Sequence, residues 1–304
     1  NDPLGRLIKS GDKFYGTARD GGTYDDGVIF EYDPAGDGTY TVLHHFDDEN
    51  GTSPYGGLTE SGGKFYGTTR FGGDDDGGSL FVYDPSTSTQ AVLHSFDYTN
   101  GADPTSKLIE VGGKFYGTGN TGGEFFEGVI FEYDPAGAGT YTVLHQFDYT
   151  NGSWPYGGLV EMGGKFYGTT LYGGNDFSGV LYEYDPSGSG TYTILHHFSY
   201  WTDGSEPQGT LIVSGGKLYG TAIRGGSNDA GTIFEFDPSG SGTFTTLHHF
   251  EAATGSGPEA GLTESGGMFY GTATEGGDYN GGVIFEYGLA GPTYTVIRHL
   301  SNQD

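Results

Sequence analysis

Residues Gly157–Phe198 read GGLVEMGGKFYGTTLYGGNDFSGVLYEYDPSGSGTYTILHHF, and the rest of the chain is this stretch written again. Its core, K-F-Y-G-T, recurs as Lys13–Thr17, Lys64–Thr68, Lys114–Thr118 and Lys165–Thr169, then as K-L-Y-G-T at Lys217–Thr221 and M-F-Y-G-T at Met268–Thr272. The central tyrosines, Tyr15, Tyr66, Tyr116, Tyr167, Tyr219 and Tyr270, are 51, 50, 51, 52 and 51 residues apart. Six copies at a near-constant period of about 51 residues specify a repeat architecture.

Each copy divides into four short strands. Strand A is an L-[ITV]-x-[SVM] segment: Leu7–Ser10, Leu58–Ser61, Leu108–Val111, Leu159–Met162, Leu211–Ser214 and Leu262–Ser265. A tight glycine turn such as Gly62-Gly63 leads into strand B, K-F-Y-G-T-x. Strand C is G-V-I-F-E-Y, as at Gly27–Tyr32, Gly128–Tyr133 and Gly282–Tyr287. The turn D-P-x-G-x-G follows, as at Asp33–Gly38 and Asp185–Gly190, with proline presetting φ and glycine supplying φ > 0. Strand D is T-Y-T-V-L-H-x-F, as at Thr39–Phe46. Aromatic and β-branched residues dominate, and no run has the helical period.

Four antiparallel strands repeated six times predict an all-β, six-bladed β-propeller, with a β-solenoid as the alternative. One domain, 1–304, is expected, with repeats at about 1–50, 51–100, 101–151, 152–203, 204–255 and 256–304. The A–B and C–D connections are tight, whereas B–C and D–A are long. In an A-B-C-D blade both long connections fall on one rim, where binding is expected. Ser301–Asp304 matches the start of a D–A loop and Asn1-Asp2-Pro3 its end, so each blade is expected to be one continuous segment.

The net charge is −28 with only 12 Lys+Arg, which excludes nucleic acid and anionic membranes as partners by repulsion. There are no cysteines, hence no disulfide framework and no thiol catalysis. No apolar run reaches membrane-spanning length. Glycine occurs 61 times but at fixed offsets between apolar runs, so it marks turns rather than disorder.

The pattern G-G-K-F-Y-G-T-T, a double glycine, G-V-[IL]-[FY]-E-Y-D-P, T-V-L-H-x-F and N-G-x-x-P-x-G-G-L resembles the bacterial GloVer tandem-repeat family across all six repeats. That resemblance implies a secreted or cell-surface protein and brings no catalytic residues with it. The double glycine and Tyr-Asp-Pro are more loosely similar to kelch propellers. The strand-D tryptophan of kelch is replaced here by Tyr40, Gln90, Tyr141, Tyr192, Phe244 and Tyr294.

The repeats serve as an internal control: a residue type found in every copy serves the blade, and one that breaks the pattern is free to serve a site. All nine histidines lie in strand D. His44, His94, His145, His196 and His248 share one position, expected on the side of Val42 and Phe46 as hydrogen-bonding blade residues. The next position (His45, Ser95, Gln146, His197, His249, His299) is expected to face solvent. The Asp of Tyr-Asp-Pro reads as a turn residue. Acidic B–C loops suit Ca²⁺ as an optional cation, with Asp74, Asp75 and Asp76 the candidate ligands; no cofactor is required. Asn50 and Asn151 head sequons, in Asn-Gly turns.

Basic residues break the pattern on the long-loop rim: Arg6 and Lys107 before strand A, and Arg19, Arg70 and Arg224 in B–C loops. Aromatics accompany them: Tyr55, Phe71, Trp154, Tyr156, Tyr172, Tyr200 and Trp201. Exposed aromatic faces beside polar groups suit sugar rings or a protein partner. The leading expectation is a non-enzymatic binding or assembly module, self-association included. The alternatives are a carbohydrate-binding propeller and a glycan hydrolase or lyase, the latter with Glu60, Glu110, Glu161 and Glu264 as a carboxylate collar.

Overall fold

The computed structural model describes residues 2–35, 38–291 and 293–301. Asn1, residues 302–304 and two residues of the first D-P-x-G-x-G turn, Gly36 and Asp37, lie outside the described residues, and with them parts of the expected loop match. The strands are β1 (Ile8–Ser10), β2 (Lys13–Ala18), β3 (Val28–Asp33) and β4 (Thr39–His45) in the first repeat. The second holds β5 (Thr59–Ser61), β6 (Lys64–Thr69), β7 (Ser79–Asp84) and β8 (Thr89–Ser95); the third β9 (Ile109–Val111), β10 (Lys114–Gly119), β11 (Val129–Asp134) and β12 (Thr140–Gln146). The fourth holds β13 (Val160–Met162), β14 (Lys165–Thr170), β15 (Val180–Asp185) and β16 (Thr191–His197). The fifth has β17 (Ile212–Ser214), β18 (Lys217–Ala222), β19 (Thr232–Asp237) and β20 (Thr243–His249); the sixth β21 (Thr263–Ser265), β22 (Met268–Ala273), β23 (Val283–Gly288) and β24 (Thr293–His299).

Each repeat forms its own four-stranded antiparallel sheet with its strands in chain order. The fold is thus an all-β six-bladed propeller, and each described blade is one continuous segment. Strand A begins one residue later than the sequence suggests, and strand C is shifted by one toward the turn. Two compact units are distinguished, Asn1–Asp148 and Tyr149–Asp304, each holding three blades. Within the first, β1 adjoins β5 and β5 adjoins β9; within the second, β13 adjoins β17 and β17 adjoins β21. In each unit the blades therefore fan outward from their A strands.

The blades are held together by aromatic faces. Phe96 of one blade meets Phe131 of the next with ring centroids 5.4 Å apart, and Phe250 meets Phe285 at 5.2 Å. Strand C is buried on both faces, as at Val129, Ile130 and Phe131, which is why it reads as a continuous apolar run. The glycine of K-F-Y-G-T has a steric cause: Gly117 pairs across strands with Phe131, and a Cβ there would sit 2.6 Å from the Phe131 ring. The ring covers the bare glycine backbone.

A β-bulge in strand D corrects one expectation. His44 pairs with Ile29 and Val42 with Phe30, leaving Leu43 as the extra residue. Leu43, His44 and Phe46 consequently share a face, while Val42 packs on the opposite side with Phe30. The same shift occurs in all six blades. The bulge turns His94, His196 and His248 onto the following blade. His94 stacks on Tyr141 at 3.8 Å, His196 on Phe244 at 3.7 Å and His248 on Tyr294 at 4.1 Å, with rings within 7° of parallel. The position of the kelch tryptophan is therefore used here as the partner of a histidine ring.

Candidate functional site

The long-loop rim is built by backbone pairing. Each described D–A loop pairs with the B–C loop of the blade it enters: Thr52 with Phe71, Ala102 with Thr121, Ser153 with Tyr172, Ser205 with Arg224 and Ser256 with Glu275. The next residue, Ser53, Asp103, Glu206 or Gly257, donates its N–H to the B–C loop of the preceding blade, at Asp26, Gly77, Ser178 or Ala230. This residue has positive φ in every such loop, Trp154 (φ 57°) among them. Within each unit the D–A loops thus stitch neighbouring B–C loops together.

The B–C loops are closed from within. Asp25, Asp76 and Asn280 each accept a hydrogen bond from the backbone N–H four residues earlier, at Gly21, Gly72 and Gly276. The position after the shared histidine, expected to face solvent, anchors the loop: His45, His197, His249 and His299 accept through Nδ1 from Thr23, Asn175, Ser227 and Asp278. Gln146 does the same for Glu124 through its side-chain oxygen. The shared histidines are tied to the D–A loops, His44 to Asn50 (3.4 Å), His94 to Asn100 (3.3 Å) and His196 to Asp203 (2.6 Å).

The candidate residues fall into three groups. The rim arginines are already paired with carboxylates. Arg19 bonds Asp20 (2.9 Å) and reaches Asp2 (3.2 Å). Arg70 forks onto Asp103 and lies over the rings of Tyr55 and Phe71, 5.8 and 4.9 Å from their centroids. Arg224 bonds Glu206 at 3.2 Å. Burial raises the Asp103 pKa, and the Arg70 guanidinium opposes that rise. In a chain with 40 acidic residues against 12 basic ones, a rim arginine is usually claimed by a neighbouring loop. Arg6 and Lys107 are exposed at the entrances to β1 and β9.

The aromatics form the second group. Trp154 is 42% exposed and packs edge-on against Tyr172 at 5.6 Å. Trp201 is 75% exposed and stands against Tyr200, whose hydroxyl donates to Asp229. Tyr55, Tyr156 and Tyr172 are half-buried, and the Tyr156 N–H is held by the Trp154 carbonyl. Sequence reading overlooked the B–C loop tips Tyr24, Phe126, Phe177 and Tyr279, all more than 60% exposed. Phe126 and Phe177 hold positive φ where Asp25 and Asp76 do, an uncommon conformation for a bulky residue. The six-fold alignment carried that signal: an aromatic standing where other copies place Asp or Asn.

The third group comprises the loop carboxylates, the collar and the sequons. Asp74 and Asp75 are exposed, Asp76 is turned onto its own loop, and no group of three or more His, Cys, Asp or Glu converges among the described residues. The collar glutamates serve structure at the opposite rim. Glu110 and Glu161 accept from the N–H of Gly113 and Gly164 in their own hairpins at 2.7 Å, and Glu60 accepts from Ser10. Asn50 accepts from His44 and the Asp47 N–H, and the Asn151 carbonyl accepts from Tyr192. The sequon hydroxyl residues, Thr52 and Ser153, are buried.

A family model described as the Gloeobacter/Verrucomicrobia repeat matches residues 2–202 and 164–304. Among solved structures, an extracellular domain of a hybrid two-component system from B. thetaiotaomicron is similar with a TM-score of 0.67 at 12% identity, over 99% of this chain and 33% of that one. A chain of a nidogen/laminin complex is similar with a TM-score of 0.55 at 17% identity, over 96% and 94%. A prolyl endopeptidase is similar at 0.57 and 12%, over 98% and 43%. This chain spans about a third of the two-component chain, and at such identities the likeness is one of fold. No curated protein sequence matches it.

Proposed function

Since the chain belongs to the Gloeobacter/Verrucomicrobia repeat family, we propose that it is an extracytoplasmic binding or structural module. Its partner, a glycan, is taken on the long-loop rim. The observation that carries this reading is the set of exposed aromatic rings of the second unit, Trp154, Trp201 and the Phe177 tip, on loops fixed by backbone pairing. Rings held in place lose little entropy on binding and offer flat faces to pyranose rings. An extracytoplasmic setting is supported by the repeat pattern and by the likeness to an extracellular domain.

A screen against polysaccharides and a glycan array, with Ca²⁺ present and product release as a second readout, tests this proposal. Binding is expected without turnover, weakened at least about tenfold by Trp154→Ala or Trp201→Ala, as for loss of a buried aromatic anchor. Binding indifferent to both substitutions would remove the rim from the proposal. Turnover would replace a binding module with a glycan-cleaving enzyme. A blank screen with concentration-dependent oligomers in mass photometry would replace it with self-assembly.

A further inference from the structure

Each B–C loop carries a double glycine, and in four of them the second glycine lies beneath a histidine of strand D. A Cβ on Gly174 would sit 2.8 Å from His197 Nδ1, one on Gly226 2.8 Å from His249 Nδ1, one on Gly277 2.8 Å from His299 Nδ1 and one on Gly22 2.9 Å from His45 Nδ1. The bare glycine lets the imidazole accept from the N–H of the next residue, at 3.1 Å for Thr23, 3.2 Å for Asn175, 3.1 Å for Ser227 and 3.0 Å for Asp278. In the third blade Gln146 sets its side-chain oxygen over Gly123 and accepts from the Glu124 N–H at 2.9 Å. One loop thus has the same anchor without a group that titrates.

The loop held by His197 presents the most. It bears Tyr172, edge-on to Trp154 at 5.6 Å, and Phe177, 63% exposed with its ring 5.7 Å from Tyr149. The Gly174 N–H donates to the Tyr149 carbonyl at 3.0 Å, and the adjoining Asn175 N–H donates to His197. His197 therefore acts on both rings through the loop backbone.

An imidazole accepts at Nδ1 only while it is neutral. Once protonated, both ring nitrogens are donors, and the backbone N–H loses its partner. The charged groups facing His197 are Asp176 of the anchored loop and His196 of its own strand, whose Nε2 is bonded to Asp203 of the D–A loop at 2.6 Å. Burial, aided by His196 and opposed by Asp176, holds the His197 pKa below 6.5. The anchor is complete above that pH and is lost as pH falls through the lowered value.

We infer that His197 is a positioning residue for the rim: its neutral imidazole holds the Phe177 loop in the form that binds, and acid releases the loop and weakens binding. The binding step rests on the rim-binding reading above, whereas the loop anchor does not.

Hydrogen exchange of the full chain, corrected for its intrinsic pH dependence, compares residues 173–178 with residues 122–127 at pH 7.5 and pH 5. Protection of the first segment should fall about three- to tenfold, the scale of one hydrogen bond, while the second segment holds. His197→Gln should keep the protection seen at pH 7.5 and carry it unchanged to pH 5, as Gln146 does. His197→Phe should lose it at both values. An equal fall in both segments, or a fall that persists in His197→Gln, would overturn the inference. Laminarin, soluble xylan and chitohexaose probe the rim at the same two pH values. A probe that binds should weaken about three- to tenfold at pH 5 with the unchanged protein and hold its affinity with His197→Gln. Equal affinity of the unchanged protein at both values would overturn the role of His197 and leave the rim reading standing. If no probe binds at pH 7.5 while exchange behaves as expected, the rim reading fails and the loop anchor stands.

Discussion

His248 carries an interface and a proton equilibrium at once. Its ring lies parallel to Tyr294 at 4.1 Å and edge-on to Phe250, and its Nε2 has no hydrogen-bond partner among the described residues. Burial, aided by the neighbouring His249, lowers its pKa from 6.5 to about 4. Between those values the unfolded chain takes up a proton that the folded chain refuses. The stabilisation is thus complete above pH 6.5 and is lost as pH falls toward 4, by at most about 1.4 kcal/mol per pH unit. His44 and His94 are shifted the same way but less, being bonded to Asn50 and Asn100. His248→Phe keeps an aromatic ring on Tyr294 and cannot ionise. Its Tm should therefore fall less between pH 7 and pH 4.5 than that of the unchanged protein. An equal fall in both would mean that His248 already titrates normally in the folded state.

At the scale of the strand and turn, the sequence was most informative where one residue type answers to one steric demand. Strand B was legible residue for residue, and Gly117 beneath Phe131 explains why. The bulge at Leu43 was not legible, because it changes which side a residue faces without changing which residues are present. The pairing of Arg70 and Arg224 was hidden for a related reason: their partners Asp103 and Glu206 come from a different loop. A further cluster was missed on the tight-turn rim. Lys114 bonds Glu132 (2.8 Å) across strands and approaches Asp134 (3.5 Å), and Lys165 and Lys217 repeat the arrangement. In the second blade Val82 stands in place of that glutamate, and Lys64 pairs with Asp84. The sixth blade has Met268 and Gly288 in these places and retains Glu286. Gly288 does not have positive φ, and a Cβ there would lie 3.1 Å from Thr293 Oγ1 and 3.2 Å from the Gly291 carbonyl, so aspartate fits once the turn gives by a few tenths of an ångström. The double substitution Met268→Lys, Gly288→Asp is expected to raise Tm modestly, with the gain fading in 1 M NaCl as exposed pairs are screened. A lower Tm would show that the cluster owes its presence in the other blades to something besides charge.

For the whole chain the dominant quantity is the net charge of −28. Local pairing accounts for few of the 40 carboxylates because only 12 cationic side chains are available, and mutual repulsion among the rest opposes folding. Screening should then stabilise the protein: as the Debye length falls from about 10 Å at 0.1 M to about 3 Å at 1 M salt, Tm should rise. Partly buried pairs such as Arg70–Asp103 are shielded from that screening and should hold through the same range. We propose that residues 1–304 act as one domain, for which calorimetry should show a single transition throughout the titration. The same experiment with CaCl₂ at matched ionic strength separates general screening from specific binding. Asp76 is committed to the Gly72 N–H and no third ligand gathers with Asp74 and Asp75 among the described residues, so Ca²⁺ is expected to add little beyond NaCl. A markedly larger rise with Ca²⁺, abolished by Asp74→Asn with Asp75→Asn, would mean that the second B–C loop opens its own turn to wrap the ion. A Tm that falls with added NaCl would mean that the visible ion pairs outweigh the repulsion.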